Sequence, residues 1–253
     1  MSLIDLLLAA SLTVYPLFVL AERAWPAREQ PQLRGWALTG IGFFVAFMAT
    51  SVLLPLALPP SWFEASLLLG AELGIAGGTV VGYLATTFAG YVWHRAAHAV
   101  PLLWRVFHQM HHAPRRLDAV GAFVFHPSEA ALYTLLGAAL NVIVLGLDPV
   151  AASIVGFLGA FNAVFQHANL RIASRHPFWR AWGRVLNNPH FHAWHHTREG
   201  HLCDGNYGNT LTIWDRLFGS EVTREEAPAQ LGLASDQALS ESVLGLQLLR
   251  PRS

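Results

Sequence analysis

Four stretches of the sequence contain no charged side chain, and each is long enough to cross a membrane. They cover residues 35–63, 73–93, 130–147 and 149–170. About 20 apolar residues in an α-helix span the hydrocarbon core of a bilayer, and each stretch is near or above that length. The rest of the composition agrees, because 53% of the residues are hydrophobic and only 13% are charged. The sequence therefore predicts an all-α integral membrane protein.

A fifth apolar segment, Leu6–Ala21, lies near the N-terminus. It has neither the basic start nor the small-residue cleavage site of a signal peptide, and it runs directly into Glu22 and Arg23. We interpret it as an uncleaved anchor. The chain is thus expected to have four to five transmembrane helices.

The arginines predict the orientation of these helices. They follow the first, third and fifth apolar segments, and the alternate connections carry none. The positive-inside rule places the arginine-bearing connections in the cytoplasm. The absence of lysine is a compositional bias of the kind found in GC-rich bacterial genomes, so we expect the bacterial inner membrane, with a helical cap on its cytoplasmic face. The arginines in question are Arg23, Arg28 and Arg34, then Arg95, Arg105, Arg115 and Arg116, then those from Arg171 to Arg184.

The same pattern suggests how the chain is organised. Residues 1–92 are expected to form N-terminal transmembrane helices, and residues 93–223 a histidine-rich catalytic region with a transmembrane hairpin at about 128–166. Residues 224–253 are small and polar, and we expect a short helix or a loose tail there. The three parts are expected to act as one functional domain.

Charge and cysteine content exclude several classes of protein. Sixteen basic and sixteen acidic residues balance, and no basic stripe lies beside aromatic residues, so nucleic acid is not an expected partner. Cys203 is the single cysteine, which excludes an intramolecular disulfide and any cysteine-based zinc or iron–sulfur site.

Three short segments place histidines at helical spacing. Residues three or four positions apart lie on one side of an α-helix, about 5–6 Å from each other. The topology brings all three segments to the same side of the membrane. Single histidines at an interface are often solvated or cap a helix, but three clusters with matching spacing favour a metal site. The segments are HRAAH (His94 and His98), HQMHH (His108, His111 and His112) and HAWHH (His192, His195 and His196).

Imidazole is a neutral ligand that suits iron, zinc, copper or nickel. Eight imidazoles exceed what one ion can coordinate, so the residues alone predict two metal ions without settling which metal. A metallohydrolase, a metal transporter and a bis-histidine haem carrier are the rival interpretations. The sequence has no HExxH motif, which argues against a metallohydrolase. A transporter would place ionisable ligands within its spans, whereas residues 73–93, 130–147 and 149–166 carry no histidine. A haem carrier would leave the two HxxHH triplets unexplained.

The three histidine segments, in this order and across membrane spans, resemble the histidine boxes of the fatty acid hydroxylase/sterol desaturase superfamily. Further segments of that superfamily are similar to FVFHPSE at 123–129, FQHANLRI at 165–172 and NYGNTLTIWDRLFG at 206–219. The resemblance covers about residues 90–220 and is greatest to the bacterial, alkylglycerol-monooxygenase-like branch. It implies an integral-membrane non-haem diiron enzyme.

The resemblance also implies the site and the reaction. Two iron ions, for which zinc could substitute, would activate O₂ to hydroxylate or desaturate a membrane lipid. The lipid would be a fatty acyl, ether-lipid, sterol-like or carotenoid substrate, and a separate electron-donor protein would supply electrons. The implied metal ligands are His94, His98, His108, His111, His112, His167, His192, His195 and His196, with His126 as a candidate tenth.

Three polar residues are candidates for holding the ligands in place. Glu129 follows His126 by three positions, and Asn206 and Asp215 lie in the NYG and WDRLFG segments. The last two could accept N–H bonds from imidazoles or could instead stabilise a turn.

The sequence also departs from the superfamily pattern at two places, Val124 and the segment 188–190. Val124 stands where an arginine is expected, Asn188 replaces a threonine before Pro189, and His190 is additional. We expect these differences to affect the substrate side rather than the metal centre.

Overall fold

The computed structural model describes residues 1–63, 66–172 and 176–233. These residues form α-helices joined by short turns, with isolated bridges but no β-strand among them. In chain order the helices are α1 (Leu3–Ala24), α2 (Trp36–Leu56), α3 (Gly74–Ala99), α4 (Pro101–Leu103), α5 (Gln109–His112), α6 (Pro127–Ala138), α7 (Pro149–His167), α8 (Pro177–Gly183), α9 (Pro189–His195) and α10 (Ile213–Leu217). The all-α prediction is confirmed.

Five helical stretches within the described residues are long and apolar enough to cross a membrane, which fits an integral membrane protein. They overlap all four uncharged runs and the N-terminal segment, so the number of candidate spans agrees with the higher of the two predicted counts. A 3₁₀ turn at Gly70–Leu73 lengthens the stretch that contains α3, and a π-helical turn at Ala139–Val144 lengthens the stretch that contains α6. The stretches are Leu3–Ala24, Trp36–Leu56, Gly70–Ala99, Pro127–Val144 and Pro149–His167.

Small residues let the membrane helices α3 and α7 approach closely. A methyl group on Gly78 would lie 3.3 Å from Cβ of Ala151, and one on Gly82 would overlap Leu147 and come within 3.2 Å of Val155. Hydrophobic burial does not hold helices together within lipid, so close contact between small residues is the means left to pack them. The α3–α7 pair thus forms a rigid support for the histidines at its ends.

Aromatic rings fill the space between α1, α2, α7 and the loop that precedes α6. Tyr15 stacks on Phe44 at 4.2 Å between ring centroids, and Phe47 stacks on Phe123 at 4.9 Å. The Tyr15 hydroxyl donates to the Val120 carbonyl. This aromatic cluster fixes the loop against the first two helices.

Residues 113–126, 168–172 and 176–233 form a cap over one end of the helices. The connection between α1 and α2 packs against this cap, since the Arg28 N–H donates to the Asn169 side chain and Gln30 donates to the Leu117 carbonyl. The arginine-bearing connections therefore share one face, as predicted. The structure carries no membrane, and the cytoplasmic orientation stays a prediction.

The predicted C-terminal tail falls mostly on residues 234–253, which lie outside the described part. Its first ten residues, 224–233, are part of the cap. Leu231 pairs with Thr197 in an isolated bridge, and the Gly232 N–H donates to the His196 carbonyl. The predicted boundary between residues 92 and 93 falls inside the continuous helix α3.

Glu22, in the last turn of α1, ties that helix to the cap. One of its carboxylate oxygens accepts the backbone N–H groups of Ala119 at 2.8 Å and Asn169 at 2.9 Å, and the side chain is buried. A buried N–H group that loses its acceptor costs about 1–3 kcal/mol. In the sequence Glu22 is recognisable only as the end of an apolar segment, so its role in holding the cap was not predicted.

We predict that Glu22→Ala lowers the free energy of unfolding by about 2–5 kcal/mol, because two buried N–H groups lose their acceptor. Glu22→Gln keeps a carbonyl oxygen at the same place and is expected to cost clearly less. Thermal unfolding of both variants in detergent measures the difference. Equal stability of Glu22→Ala and the wild type would contradict the assigned role.

Candidate metal centre

The last two turns of α3 present the first pair of histidines to the interior of the cap. His94 and His98 are four residues apart and both are buried, whereas Arg95, between them, points outward and donates to the Tyr91 hydroxyl. Pro101 then starts a new helical segment, because a proline cannot continue the hydrogen bonds of α3.

The segment after Pro101 contains a π-helical turn at Trp104–His108, followed by α5. Such turns are rare and often occur at functional sites. The widened turn places His108 beside the α3 histidines, with 2.8 Å between its Nε2 and that of His94. Trp104 packs against His98 and His112 and closes this side of the cluster.

The remaining histidines come from the end of α7 and from α9. His167 is the last residue of α7. Pro189 begins α9, and the Asn188 side chain accepts the N–H groups of His190 and Phe191, which caps its first turn. This start fixes where the HAWHH residues meet the rest of the cap.

These histidines separate into two groups that could each hold a metal ion. Within each group the available ligand atoms lie within 4.8 Å of one another. Eight of the nine rings are buried, and His111 is half-buried. The structure thus brings together all nine histidines predicted as ligands, and among the described residues neither group contains a carboxylate or a thiol. The first group is His94, His98, His108, His112 and His195, and the second is His111, His167, His192 and His196.

Each HxxHH segment contributes to both groups. His108 and His112 face the first group and His111 the second, whereas His192 and His196 face the second and His195 the first. Neighbouring positions on an α-helix differ by about 100° in direction, so two adjacent histidines point to two different centres.

The outward nitrogens of six rings meet oxygen atoms. Four of these oxygens belong to backbone carbonyls. The other two belong to carboxylates, one on the buried Glu129 and one on the exposed Asp204. A carbonyl only accepts hydrogen bonds, so a ring facing one carries its proton on Nδ1 and directs the Nε2 lone pair inward. The pairs are His94 with Tyr207 O (2.7 Å), His98 with Asp204 Oδ1 (3.4 Å), His108 with Glu129 Oε1 (2.8 Å), His111 with Val124 O (3.3 Å), His167 with Ala163 O (2.6 Å) and His195 with Gly205 O (2.7 Å).

The inward nitrogens crowd together. Nε2 of His112 lies 3.2 Å from that of His98 and 3.1 Å from that of His108. Nε2 of His195 is buried without a hydrogen-bond partner among the described residues. Nitrogen ligands about 2.0–2.1 Å from one ion, at right angles to each other, are about 3.0 Å apart. The spacing therefore fits nitrogen atoms that share a cation.

Burial lowers the pKa of clustered imidazoles and so favours their uncharged form. It lowers the pKa of His108 to about 3, with repulsion from His167 as the second cause. It also lowers the pKa of His195 well below its ordinary value of 6.5, and the nearby His94 adds to that effect. Neutral imidazole is the form that binds metal, so these nitrogens can accept an ion without first losing protons.

Among the three supporting candidates, Glu129 touches a predicted ligand directly. Its Oε1 accepts from Nδ1 of His108, and its side chain is 1% exposed. Its position in the first turn of α6 places it below the π-helical segment.

Asp215 and Asn206 stabilise the loop that carries two of the carbonyls, which is the second of the two roles considered for them. Asp215 accepts the N–H groups of Tyr207 and Gly208, both at 2.8 Å. Burial raises the pKa of Asp215 to about 6, although these bonds oppose the shift. Asn206, at a positive φ of 56°, donates to the carbonyls of Phe191 and Val222. Neither side chain bonds an imidazole.

The other histidines stay outside both groups. His126 caps α6, where its Nδ1 accepts the Ser128 N–H, so the structure does not bring this candidate tenth ligand into the cluster. His190 contacts the Arg224 carbonyl, as expected for a histidine outside the centre. His176 caps α8, and His201 is exposed.

Several contributors to the site were not foreseen from the sequence. The carbonyls of Gly205, Val124 and Ala163 take part through the backbone, so their side chains give no signal. Asn187 is fully buried and donates to Gln166 and to the Gly208 carbonyl, which links α7 to the loop that Asp215 holds. The sequence does show two consecutive asparagines, Asn187 and Asn188, and this pair is a signal that could have pointed to the role of Asn187.

Comparison with known proteins tests the predicted resemblance independently of the structure. The family model described as fatty acid hydroxylase matches residues 79–220, more than half of the chain. No solved structure matches the chain.

Among the relatives, an ornithine lipid hydroxylase from Rhizobium tropici is 31% identical over 143 residues, which cover 56% of this chain and 40% of that protein. A fatty acid hydroxylase from Lecanicillium sp is 33% identical over 152 residues, covering 55% of this chain and 40% of that protein. Alkylglycerol monooxygenase from Homo sapiens is 30% identical over 147 residues, covering 57% and 30%. The chain thus spans less than half the length of these relatives.

The matched region begins within α3, before its first histidine, and ends after the loop whose carbonyls hold two of the imidazoles. It contains all nine clustered histidines as well as Glu129, Asn206 and Asp215. The predicted resemblance is confirmed, and the chain belongs to the fatty acid hydroxylase family.

Proposed function

We propose that this protein is a membrane-bound, O₂-dependent diiron monooxygenase that hydroxylates a membrane lipid. The nine clustered histidines are the proposed ligands of two iron ions, one in each group. Zinc could occupy the same nitrogens, since imidazole also suits that ion.

One pair of residues carries the proposal. His111 and His167 both use Nδ1 to donate to backbone carbonyls, so both Nε2 atoms present lone pairs, yet these atoms are 3.0 Å apart. In this state neither Nε2 atom carries a proton, so no hydrogen bond can link the two neutral rings. Their facing lone pairs repel each other. A bound cation turns the repulsion into attraction, which supports a metal ion in the second group.

Iron bound here would supply the power to activate O₂ and oxidise an unactivated C–H bond. The overall reaction converts a C–H bond to C–OH and reduces the second oxygen atom to water, which takes two electrons and two protons. We propose a separate electron-donor protein as their source, because these 253 residues contain one cysteine and no glycine-rich dinucleotide motif.

The chain itself orients the ligands, and aromatic rings border the second group. Glu129 and the loop carbonyls fix the ring tautomers. On the membrane side, Phe125 lies against His111 with 6.1 Å between ring centroids, and Phe47 packs on Phe125 at 5.6 Å. This series of aromatic rings leads from the membrane helices to the second group and would suit the acyl or alkyl chain of a lipid.

The names of the relatives favour hydroxylation over desaturation, since they are hydroxylases and monooxygenases of lipids. The all-imidazole composition of both groups favours the same class over a metallohydrolase, which would typically keep a carboxylate base beside its metal.

We further propose that the cap faces the cytoplasm of a bacterial cell, with the helices in the inner membrane. The arginine-bearing connections that lie on the cap side support this orientation.

The activity can be tested with isotopically labelled O₂. Purified protein with a chemical or protein reductant, given a fatty acid, an ether lipid and an ornithine lipid in turn, is expected to add one labelled oxygen atom to at least one of them. His111→Ala and His195→Ala, one from each group, should abolish the product because each removes a ligand. Mass spectrometry of extracted lipid gives the measurement.

His201→Ala is the matched control for these variants, because His201 is exposed and lies outside both groups. It should keep wild-type activity. Labelled product of equal yield from His111→Ala or His195→Ala would contradict the proposal.

Glu129 is expected to strengthen metal binding by orienting His108. Glu129→Ala should weaken metal binding by about 10–100-fold, as is typical when a residue that orients a ligand is removed. Glu129→Gln keeps an oxygen acceptor and should lose less. Competition with a chelator measures the affinity of each variant, and Glu72→Gln, an exposed carboxylate before α3, serves as control. An unchanged affinity in Glu129→Ala would show that this contact does not support the site.

A further inference from the structure

A cavity of about 580 Å³ lies beside α8, on the outer side of the segment that leads into α9. Its walls come from α8, from residues 188–191 and from residues 221–225. None of the nine clustered histidines lines it. The cavity therefore belongs to a different site from the candidate metal centre.

Positive charge dominates this cavity. The charged residues in its walls are Arg180, Arg184, Arg216, Arg224, Glu221 and Glu225. Arg216 and Glu221 neutralise each other in an ion pair at 2.9 Å.

The three remaining arginines are exposed. Arg180, Arg184 and Arg224 take no part in the ion pair of Arg216 with Glu221, and the cavity walls carry four arginines against two glutamates. Several guanidinium groups around one cavity form a site suited to phosphate, which they can bind through paired N–H donors.

The cavity lies where the apolar part of the protein ends. The membrane-length helix α7 stops at His167, and Ile172, five residues later, is in the cavity wall. Helix α8 packs on the end of α7, since Trp179 stacks on Phe165 at 6.2 Å and Trp182 lies 5.8 Å from the same ring. Tryptophan side chains concentrate at the level of lipid headgroups. The cavity thus lies beside the end of a membrane-length helix and next to two tryptophans, where we expect lipid headgroups.

A second cavity of about 240 Å³ adjoins the first, and the two share Ile172, His190 and Glu225. Its walls combine apolar residues such as Leu117 and Leu170 with Arg28 and Arg171. Two joined cavities can take the phosphate and the adjoining glycerol of a phospholipid. A free phosphate ion would use only the first cavity.

We propose that this pair of cavities binds the headgroup of an anionic phospholipid, with the phosphate held by Arg180, Arg184 and Arg224. The site is independent of the metal centre, and the proposal stands whether or not the protein hydroxylates lipids.

The test measures binding of dioctanoyl phosphatidylglycerol to the full-length protein in detergent, with dioctanoylglycerol, which lacks the phosphate, in parallel. The phospholipid should bind at least about tenfold more tightly than dioctanoylglycerol, because charge-assisted hydrogen bonds to phosphate are lost in the latter. Arg180→Gln combined with Arg184→Gln should remove this preference, and Arg184→Lys alone should retain part of it. Arg34→Gln, an exposed arginine on the same face that lines neither cavity, should bind like the wild type.

Unchanged thermal unfolding of the double variant shows that a loss of binding does not come from misfolding. Equal affinity for the two lipids, or equal loss in Arg34→Gln, would overturn the phosphate site. Inorganic phosphate that binds as tightly as the phospholipid, with the same dependence on Arg180 and Arg184, would overturn the assignment to a lipid headgroup.

Discussion

The structure depends on hydrogen bonds made by the imidazole nitrogens that face away from the centre of the histidine cluster. Each bond from Nδ1 to a carbonyl or carboxylate oxygen fixes a ring's tautomer and turns its Nε2 lone pair inward. Nine clustered imidazoles, six of them held in this way, would be a poor core, because facing lone pairs repel each other and buried polar atoms without partners are costly. The cluster makes physical sense as a set of ligands, and burial favours the neutral, metal-binding form of rings such as His108 and His195.

The rest of the fold supplies those oxygen atoms at the required positions. Asp215 and Asn206 shape the loop that offers the Gly205 and Tyr207 carbonyls, and Glu22 fastens the cap to the end of α1. The close approach of α3 and α7 in the membrane fixes the two helix ends that bring His98 and its neighbours into contact with the others. A rigid membrane bundle thus sets the precision of a site that lies at its edge.

Much of this could be predicted from the sequence because both periodicity and composition were strong. Uncharged runs indicated the membrane helices, and histidines at helical spacing indicated the cluster. The division of each HxxHH segment between two groups could not be predicted, since it depends on how helices rotate against each other in three dimensions. The backbone carbonyl of Val124 and the buried carboxylate of Glu22 escaped prediction for a related reason. Their roles depend on long-range contacts rather than on their local sequence.

The central claim is that two metal ions occupy the two histidine groups. Anomalous X-ray diffraction at the iron absorption edge, from crystals of full-length protein grown with iron, tests it most directly. The account predicts two separate peaks, one enclosed by the group that contains His94 and His195 and one by the group that contains His111 and His167. A single peak, or peaks outside both groups in crystals that contain iron, would contradict it.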